Sequence, residues 1–406
     1  MWEEFPPVST AEWEAAIRAD LKGADYDKKL LWRTDEGIVV RPFYRAEDLP
    51  GTTGQARFTG TWQAATVAEI PREAVRGDLL HEQGATAVQE LGYALAESQG
   101  KLNTFVFAVG TNYFFEIAKL RAVRQLWARL SPDPMVIWAR TSMSDKSLYD
   151  PSANLLRCTT EAMSAIFGGC DYLVIEGARF PEHLSRSLGR ILREESHIEE
   201  VSDPGGGSYY IESLTASIAS EAWKVYETGL QGGDAAIAAA RAAKEKSVAQ
   251  RKHTLVGVNN YPDLTEVLPA DVSIPASAWR MAQPFEQIRQ RVEKSGKRPR
   301  TLLLQRGDVK MKMARANFCL NLFGCAGFAV KTAEALEPAD LVVLCSSDPE
   351  YLAFAQEICP QTKAPVIVAG NPREQIESLR TAGVKDFAYL GMDAVKFLSH
   401  WQEALS

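Results

Sequence analysis

Hydrophobic positions follow two alternating periods along much of the chain. Short apolar runs, "NTFVFAV", "PMVIWAR" and "DYLVI", each precede a longer stretch in which apolar residues return every three or four positions. The runs read as strands buried on both faces and the stretches as amphipathic helices. From 55 to 200 the pattern gives a strand at "FTGTWQAATV", a long helix over 73–99, and then three further strand–helix pairs. Their helices are "YFFEIAKLRAVRQLWARL", "SANLLRCTTEAMSAIFGG" and a segment around 181–196. Strands alternating with helices in this order predict a parallel sheet with helical crossovers. A closed eight-fold barrel needs about 250 residues, and this stretch is too short to supply one.

The flanks carry other patterns. Trp13, Ala16, Ile17 and Leu21 recur at helical spacing, with Ser9 or Thr10 as the cap, and "DEG" between two apolar pieces predicts a hairpin. Residues 208–250 read as helix broken at Gly232 and Gly233, with Asp234 capping the second half. Residues 251–300 are polar and poorly periodic and end in "KSGKRPR", the pattern of a solvated connector. From 301 to 406, strands at "TLLLQ", "DLVVLCS", "PVIVAG" and "KDFAYLG" alternate with helices. This order fits a flavodoxin-like open sheet, whose ligands sit at the strand C-terminal ends. The expected domains are therefore 1–54, a helix and hairpin extension; 55–250, the first α/β unit with trailing helices; 251–300, a linker; and 301–406, the second α/β unit.

Composition narrows the class without naming a chemistry. Of 406 residues, 46% are hydrophobic and 24% charged, as in ordinary globular proteins. The apolar runs are too short to span a bilayer, and the acidic N-terminus lacks the apolar core of a signal peptide. Cys158, Cys170, Cys319, Cys325, Cys345 and Cys359 form no CxxC pair, so reduced thiols and a cytoplasmic location are expected. A net charge of −7 argues against a nucleic-acid surface.

Longer stretches carry a family resemblance. "YFFEIAKLRAVRQLWARL", "EESHIEEVSDPGGGSYYIESLT" and "HTLVGVNNYPD" resemble the cobalamin-dependent acyl-CoA mutases, above all methylmalonyl-CoA mutase. The N-terminal "FPPVSTAEWEAAIRADLKGADYDKKLLWRTDEGIVVRPFY" and the C-terminal "VLCSSDPEYLAFAQE" and "AGVKDFAYLGMD" look like its small (β) subunit. The resemblance implies a barrel domain, a C-terminal cobalamin-binding-type domain, and a non-catalytic subunit that pairs with a catalytic large one. It also exposes a deletion. Between about 65 and 80, where the family has several more barrel strands, "TWQAATVAEIPREAVRGDLLHEQGATAVQEL" runs directly into a later unit. The fold expected is thus α/β, with about half of a (β/α)-barrel followed by the flavodoxin-like domain. Such a sheet exposes edges that another chain or a rearrangement must cover.

The same resemblance locates the chemistry and what has been lost from it. The family binds cobalt through the histidine of Asp-x-His-x-x-Gly; here the loop of "QRGDVKMKMARANFCLNLFGCAGFAV" offers Asp308, Lys310 and Lys312. An ammonium has no lone pair to ligate a metal. The histidines are His81, His183, His197, His253 and His400, so none lies between 254 and 399. The positions lining the nucleotide tail fall at Ser346 and Gly370, the latter in a reduced Ala369–Gly370 pair. Asp308, Lys310, Ser346 and Gly370 are therefore degenerate cofactor positions. No bound cofactor is expected in this chain, adenosylcobalamin being implied by resemblance only, and no metal site is expected. The start of the helix in "GDVKMKMAR" is a further candidate for an anion.

In the first unit the large subunit's catalytic histidine aligns with Leu79, and His81 falls two residues late, which reads as a surface or capping histidine. Glu116 and Lys119 at i,i+3 spacing read as a surface pair, with Arg121 beside them. Glu194, Glu195 and Asp203 lack metal-spaced partners, and "DPGGGSYY" reads as a structural turn. No catalytic residue is assigned. The expected function is that of a non-catalytic small-subunit-like partner, bound to a mutase large subunit or to a second copy. Two alternatives stand beside it: an acyl-CoA isomerase acting by itself, and a regulatory protein binding acyl-CoA or another small ligand. Nucleic acid and membrane are not expected partners.

Overall fold

The computed structural model describes residues 6–49, 61–269, 272 and 279–405. The expected boundary at 54, the first residues of the "FTGTWQAATV" strand and most of 270–278 in the expected linker lie outside the described residues.

The chain opens with α1 (Thr10–Asp20), α2 (Tyr26–Leu30) and an antiparallel pair, β1 (Trp32–Arg33) and β2 (Val39–Val40). Ser9 is the cap. Its hydroxyl accepts the Glu12 N–H, and the Glu12 carboxylate accepts the Ser9 N–H at 2.8 Å, satisfying two otherwise orphaned donors. Ile38 and Val40 reach into the core of the next unit, so the hairpin is tied down by burial.

That unit contains β3 (Gln63–Ala65), β4 (Val75–Arg76), α3 (Gly77–Glu82), α4 (Ala87–Ser98), β5 (Thr104–Val109) and α5 (Tyr113–Leu130). It continues with β6 (Val136–Thr141), α6 (Pro151–Phe167), β7 (Tyr172–Val174) and α7 (Glu182–Arg190), which runs into a π-helical turn, Ile191–Glu195. Two long helices close it, α8 (Tyr209–Thr228) and α9 (Gly233–Ala249). The strands form one parallel sheet in the order β3-β7-β6-β5-β4. Alternate strand residues serve opposite faces. Phe105, Phe107, Val109, Ile137, Ala139 and Leu173 pack beneath the helices in the main core. Val106, Trp138 and Val174 form a smaller cluster on the other face with Ala74.

Two expectations are corrected here. The single helix over 73–99 is instead β4, α3 and α4. Gly84 sits at φ +107° where a Cβ would lie 2.5 Å from Arg241 Cβ, and Thr86 then caps α4 with a capping box to Gln89. Asp234 does not cap α9; Gly232 occupies that position and Asp234 lies in the first turn.

The C-terminal unit comprises α10 (Gln283–Lys294), β8 (Arg300–Gln305), α11 (Val309–Cys325), β9 (Ala329–Ala333), β10 (Leu341–Cys345) and α12 (Tyr351–Ile358). It ends with β11 (Val366–Ala369), α13 (Ile376–Thr381), β12 (Val384–Ala388) and α14 (Ala394–Ala404). Its parallel sheet has the order β12-β11-β10-β8-β9. Helices α10, α11 and α14 cover one face, α12 and α13 the other.

Helix α10 lies within the segment expected to be a solvated connector. Phe285, Ile288 and Val292 are buried, and so are Glu286 and Arg289 between them. Their charges are paired: Glu286 with Arg280 at 2.7 Å and Arg289 with Glu293 at 3.2 Å. Ion pairing lets a polar sequence sit against a core. The same helix grips the β6–α6 loop, because Glu286 accepts the Leu148 N–H at 2.6 Å and Glu293 accepts the Tyr149 hydroxyl at 3.0 Å.

Candidate functional site

The two sheets each present a polar cluster at their strand C-terminal ends, where open and barrel-type parallel sheets carry ligands. At the first, a cavity of about 550 Å³ is bounded by the β5–α5 loop (Gly110, Thr111, Asn112), the loop after β6 (Ser144, Asp145), His81, the β1–β2 hairpin and α9. Strand β5 delivers Gly110 to this edge, and α3 ends with His81 facing it.

A continuous buried network lies under this cavity. Glu90 is fully buried on α4; one of its oxygens accepts the Ala108 N–H at 2.9 Å and the other receives the Lys119 ammonium at 3.0 Å. Burial opposes the charge on Glu90, but Lys119 and His81 outweigh it and hold the carboxyl below its usual range. Lys119 is raised despite burial, because Glu116 and Glu90 flank it. His81 Nδ1 lies 3.5 Å from Glu90, and its Nε2 lies 2.9 Å from Ser142 Oγ and 3.2 Å from Ser144 Oγ. The two hydroxyls are 2.7 Å apart. Further along the loop, Lys146 donates to both oxygens of Glu161 at 2.6 and 2.7 Å and to the Ser142 carbonyl at 2.7 Å, all fully buried.

This overturns two readings. Glu116 and Lys119, expected as a surface pair, are buried and 2.5 Å apart, because Glu90 comes in from α4 to share the lysine. His81, expected at the surface or as a cap, bonds two serines and has a side chain only 12% exposed. Arg121 is buried too and pairs with Asp203 and, at 2.6 Å, with Glu212, which ties the "DPGGGSYY" turn to α5. Glu194 and Glu195 stand exposed on the π-helical turn, and Leu79 is 42% exposed. Glu90, Ser142, Ser144, Lys146 and Glu161 had no place in the sequence reading. The polar run "SMSDKS" directly after an apolar strand was the signal for three of them.

The second edge carries the positions expected to be degenerate, Asp308, Lys310, Ser346 and Gly370. Asp308 caps α11, accepting the Met311 N–H at 2.8 Å, and Lys310 is exposed in the first turn. Lys312 pairs with Glu334 at 2.6 Å. Ser346, fully buried, donates its hydroxyl toward the Arg306 carbonyl at 2.8 Å and lies 2.6 Å from Glu350. Glu350 also accepts from the Ser347 hydroxyl and N–H; the serine hydroxyls hold its carboxyl down at about 2. That carboxylate lies over Gly307, at φ +79°, 2.1 Å from where a Cβ would be. Arg315 bonds Asp348 at 3.0 Å, and its guanidinium lies 3.3 Å from a Cβ built on Gly370. Both glycine positions at this edge are thus covered by the protein's own charged side chains.

Among the described residues no group of three or more His, Cys, Asp or Glu is placed to hold a metal ion, and no helix is long and apolar enough to cross a membrane.

Two parallel α/β units with polar strand ends define the class, and comparison with known proteins supplies the family. Residues 97–306 match the methylmalonyl-CoA mutase family, and the chain belongs to it. The methylmalonyl-CoA mutase small subunit of Porphyromonas gingivalis is 28% identical over 602 residues, covering 98% of this chain and 97% of that protein. The small subunit of Streptomyces virginiae is 30% identical over 84% of this chain and 64% of its own length. The probable small subunit of Mycobacterium tuberculosis is 30% identical over 71% of this chain. This chain spans only 57% of that mycobacterial relative. An alignment of 602 positions against 406 residues leaves at least 602 − 406 = 196 positions opposite gaps in this chain. Since both proteins are covered almost from end to end, those gaps are largely internal.

Proposed function

We propose that the protein is a small-subunit-type component, non-catalytic in the mutase reaction, of a cobalamin-dependent methylmalonyl-CoA mutase assembly. Its first unit is read as an arc of a (β/α)-barrel and its second as a flavodoxin-like domain of cobalamin-binding type whose cofactor role is lost. The strand order β3-β7-β6-β5-β4, which seats the first strand beside the last, and the long internal gap support the arc. The order β9-β8-β10-β11-β12 supports the second assignment.

The observation that carries the reading is the filled edge of the second sheet. Glu350 lies on Gly307 and Arg315 on Gly370, the sequence offers no histidine between 254 and 399, and Asp308 is engaged as a helix cap. These residues do not fit a cobalamin: a cobalt ligand is missing, and a carboxylate takes up the close backbone approach that a glycine permits. A partner subunit is the role that the names of the relatives suggest and that β3 and β4, the sheet's edge strands among the described residues, accommodate.

Native mass measurement of the purified chain, alone and mixed with a mutase large subunit, tests the assignment. A stable complex is expected with the large subunit. A monomer that ignores it overturns the partner role, and a shift in the cobalamin absorbance spectrum on titration with this chain overturns the loss of cofactor binding.

A further inference from the structure

The network beneath the first cavity has an arrangement that an assembly role does not use. We propose that Ser144, His81 and Glu90 form a nucleophile, base and carboxylate that cleave short acyl esters and thioesters in this cavity.

Three contacts carry the assignment. Ser144 lines the cavity, and its hydroxyl lies 3.2 Å from His81 Nε2. The other ring nitrogen faces the Glu90 carboxylate at 3.5 Å. Glu90 is fixed in turn by the Ala108 N–H and by Lys119, which keep it ionised although it is fully buried. A buried carboxylate 3.5 Å from Nδ1 favours the proton there, which leaves the Nε2 lone pair toward the serine, the tautomer a general base requires. Ser142, 2.9 Å from the same nitrogen and 2.7 Å from Ser144, positions both.

The walls define the substrate. The 18-residue helix α5 begins at the cavity with no side-chain cap, so its first-turn N–H groups and dipole favour negative charge developing on a carbonyl oxygen. Asp145 and Glu116 flank Gly110 on the same wall, 2.8 and 3.3 Å from where a Cβ would be, and Arg33, Lys244 and Lys252 line the same cavity, so charges of both signs face the acyl group.

In the first step the Ser144 oxygen bonds to the acyl carbon as its proton passes to His81 Nε2. The carbon–oxygen or carbon–sulfur bond breaks, and the imidazolium returns the proton to the departing alkoxide or thiolate. A water molecule then attacks the acyl-serine, gives a proton to His81 and releases the acid, and the serine recovers that proton.

The test uses the full chain, a fluorophosphonate probe and p-nitrophenyl butyrate. Wild type is expected to gain one probe adduct, located at Ser144 by peptide mass, and to hydrolyse the ester above the buffer rate. Ser144→Ala is expected to lose both. His81→Asn is expected to slow both by roughly 100-fold or more, with thermal melting confirming that each variant is folded. No adduct on folded wild type, an adduct that survives Ser144→Ala, or undiminished labelling of His81→Asn overturns the proposal.

Discussion

Glu286, on the helix that precedes the second sheet, accepts the backbone N–H of Leu148, in the loop that follows β6 of the first. The bond is 2.6 Å long and buried, and the other Glu286 oxygen lies 2.7 Å from Arg280. Replacing Glu286 with alanine leaves a buried guanidinium and a buried N–H without this partner, which costs about 3–5 kcal/mol. Glu286→Gln retains an acceptor and is expected to lose less. Urea unfolding midpoints of the two variants check the order.

Lys146 and Glu161 form a fully buried pair whose lysine also holds the Ser142 carbonyl. Lys146→Met is expected to destabilise by about 3–5 kcal/mol because Glu161, whose carboxyl burial already pushes up to about 8, loses its buried partner and must take up a proton. Adding Glu161→Leu should recover most of that loss. Additive losses in the double variant, measured by denaturant titration, would argue against coupling through the pair.

Gly307→Ala meets two obstacles, a left-handed backbone and the Glu350 carboxylate in the space of its new methyl. A cost of about 1–3 kcal/mol is expected from the backbone alone. Glu350→Ala in the same chain should relieve the steric part and leave the conformational part, so a double-mutant cycle separates them.

Glu350 also sets a pH dependence. Its folded-state value of about 2 lies below the ordinary 4.5, so its contribution to stability is present above pH 4.5. That contribution is lost as pH falls from 4.5 through 2. Glu350→Gln is therefore expected to flatten the acid limb of the stability profile in that window and leave the neutral limb in shape. Thermal melts from pH 2 to 7 check it.

Sequence pattern located the elements whose environment is uniform. Strands β8, β10 and β11 are buried on both faces and appear as apolar runs, and α5 occupies the stretch its periodicity predicts. Strand β4 reads as part of a helix because two residues cannot display a period of two. Helix α10 was hidden by Glu286 and Arg289, and the Glu116–Lys119 pair was placed at the surface for the same reason. A charge reads as solvated unless its partner is known, and here the partners lie elsewhere in the chain: Glu90 stands 29 residues from Lys119. The absence of a histidine between 254 and 399 is legible in the sequence. That Glu350 and Arg315 lie over the glycines of the second sheet's edge is not, since one side chain comes from the turn before α12 and the other from within α11.

Among the described residues strand β3 pairs with β7 alone, from Gln63 to Tyr172, across more than a hundred residues of intervening chain. The ribosome must therefore release the whole of the first unit's strands before the N-terminal one can dock. Loop closure over that span has to be met before any strand contact repays it, which makes β3 the late step in folding. Until it docks, β7 is an unpaired edge in a nascent chain, open to pairing with another copy.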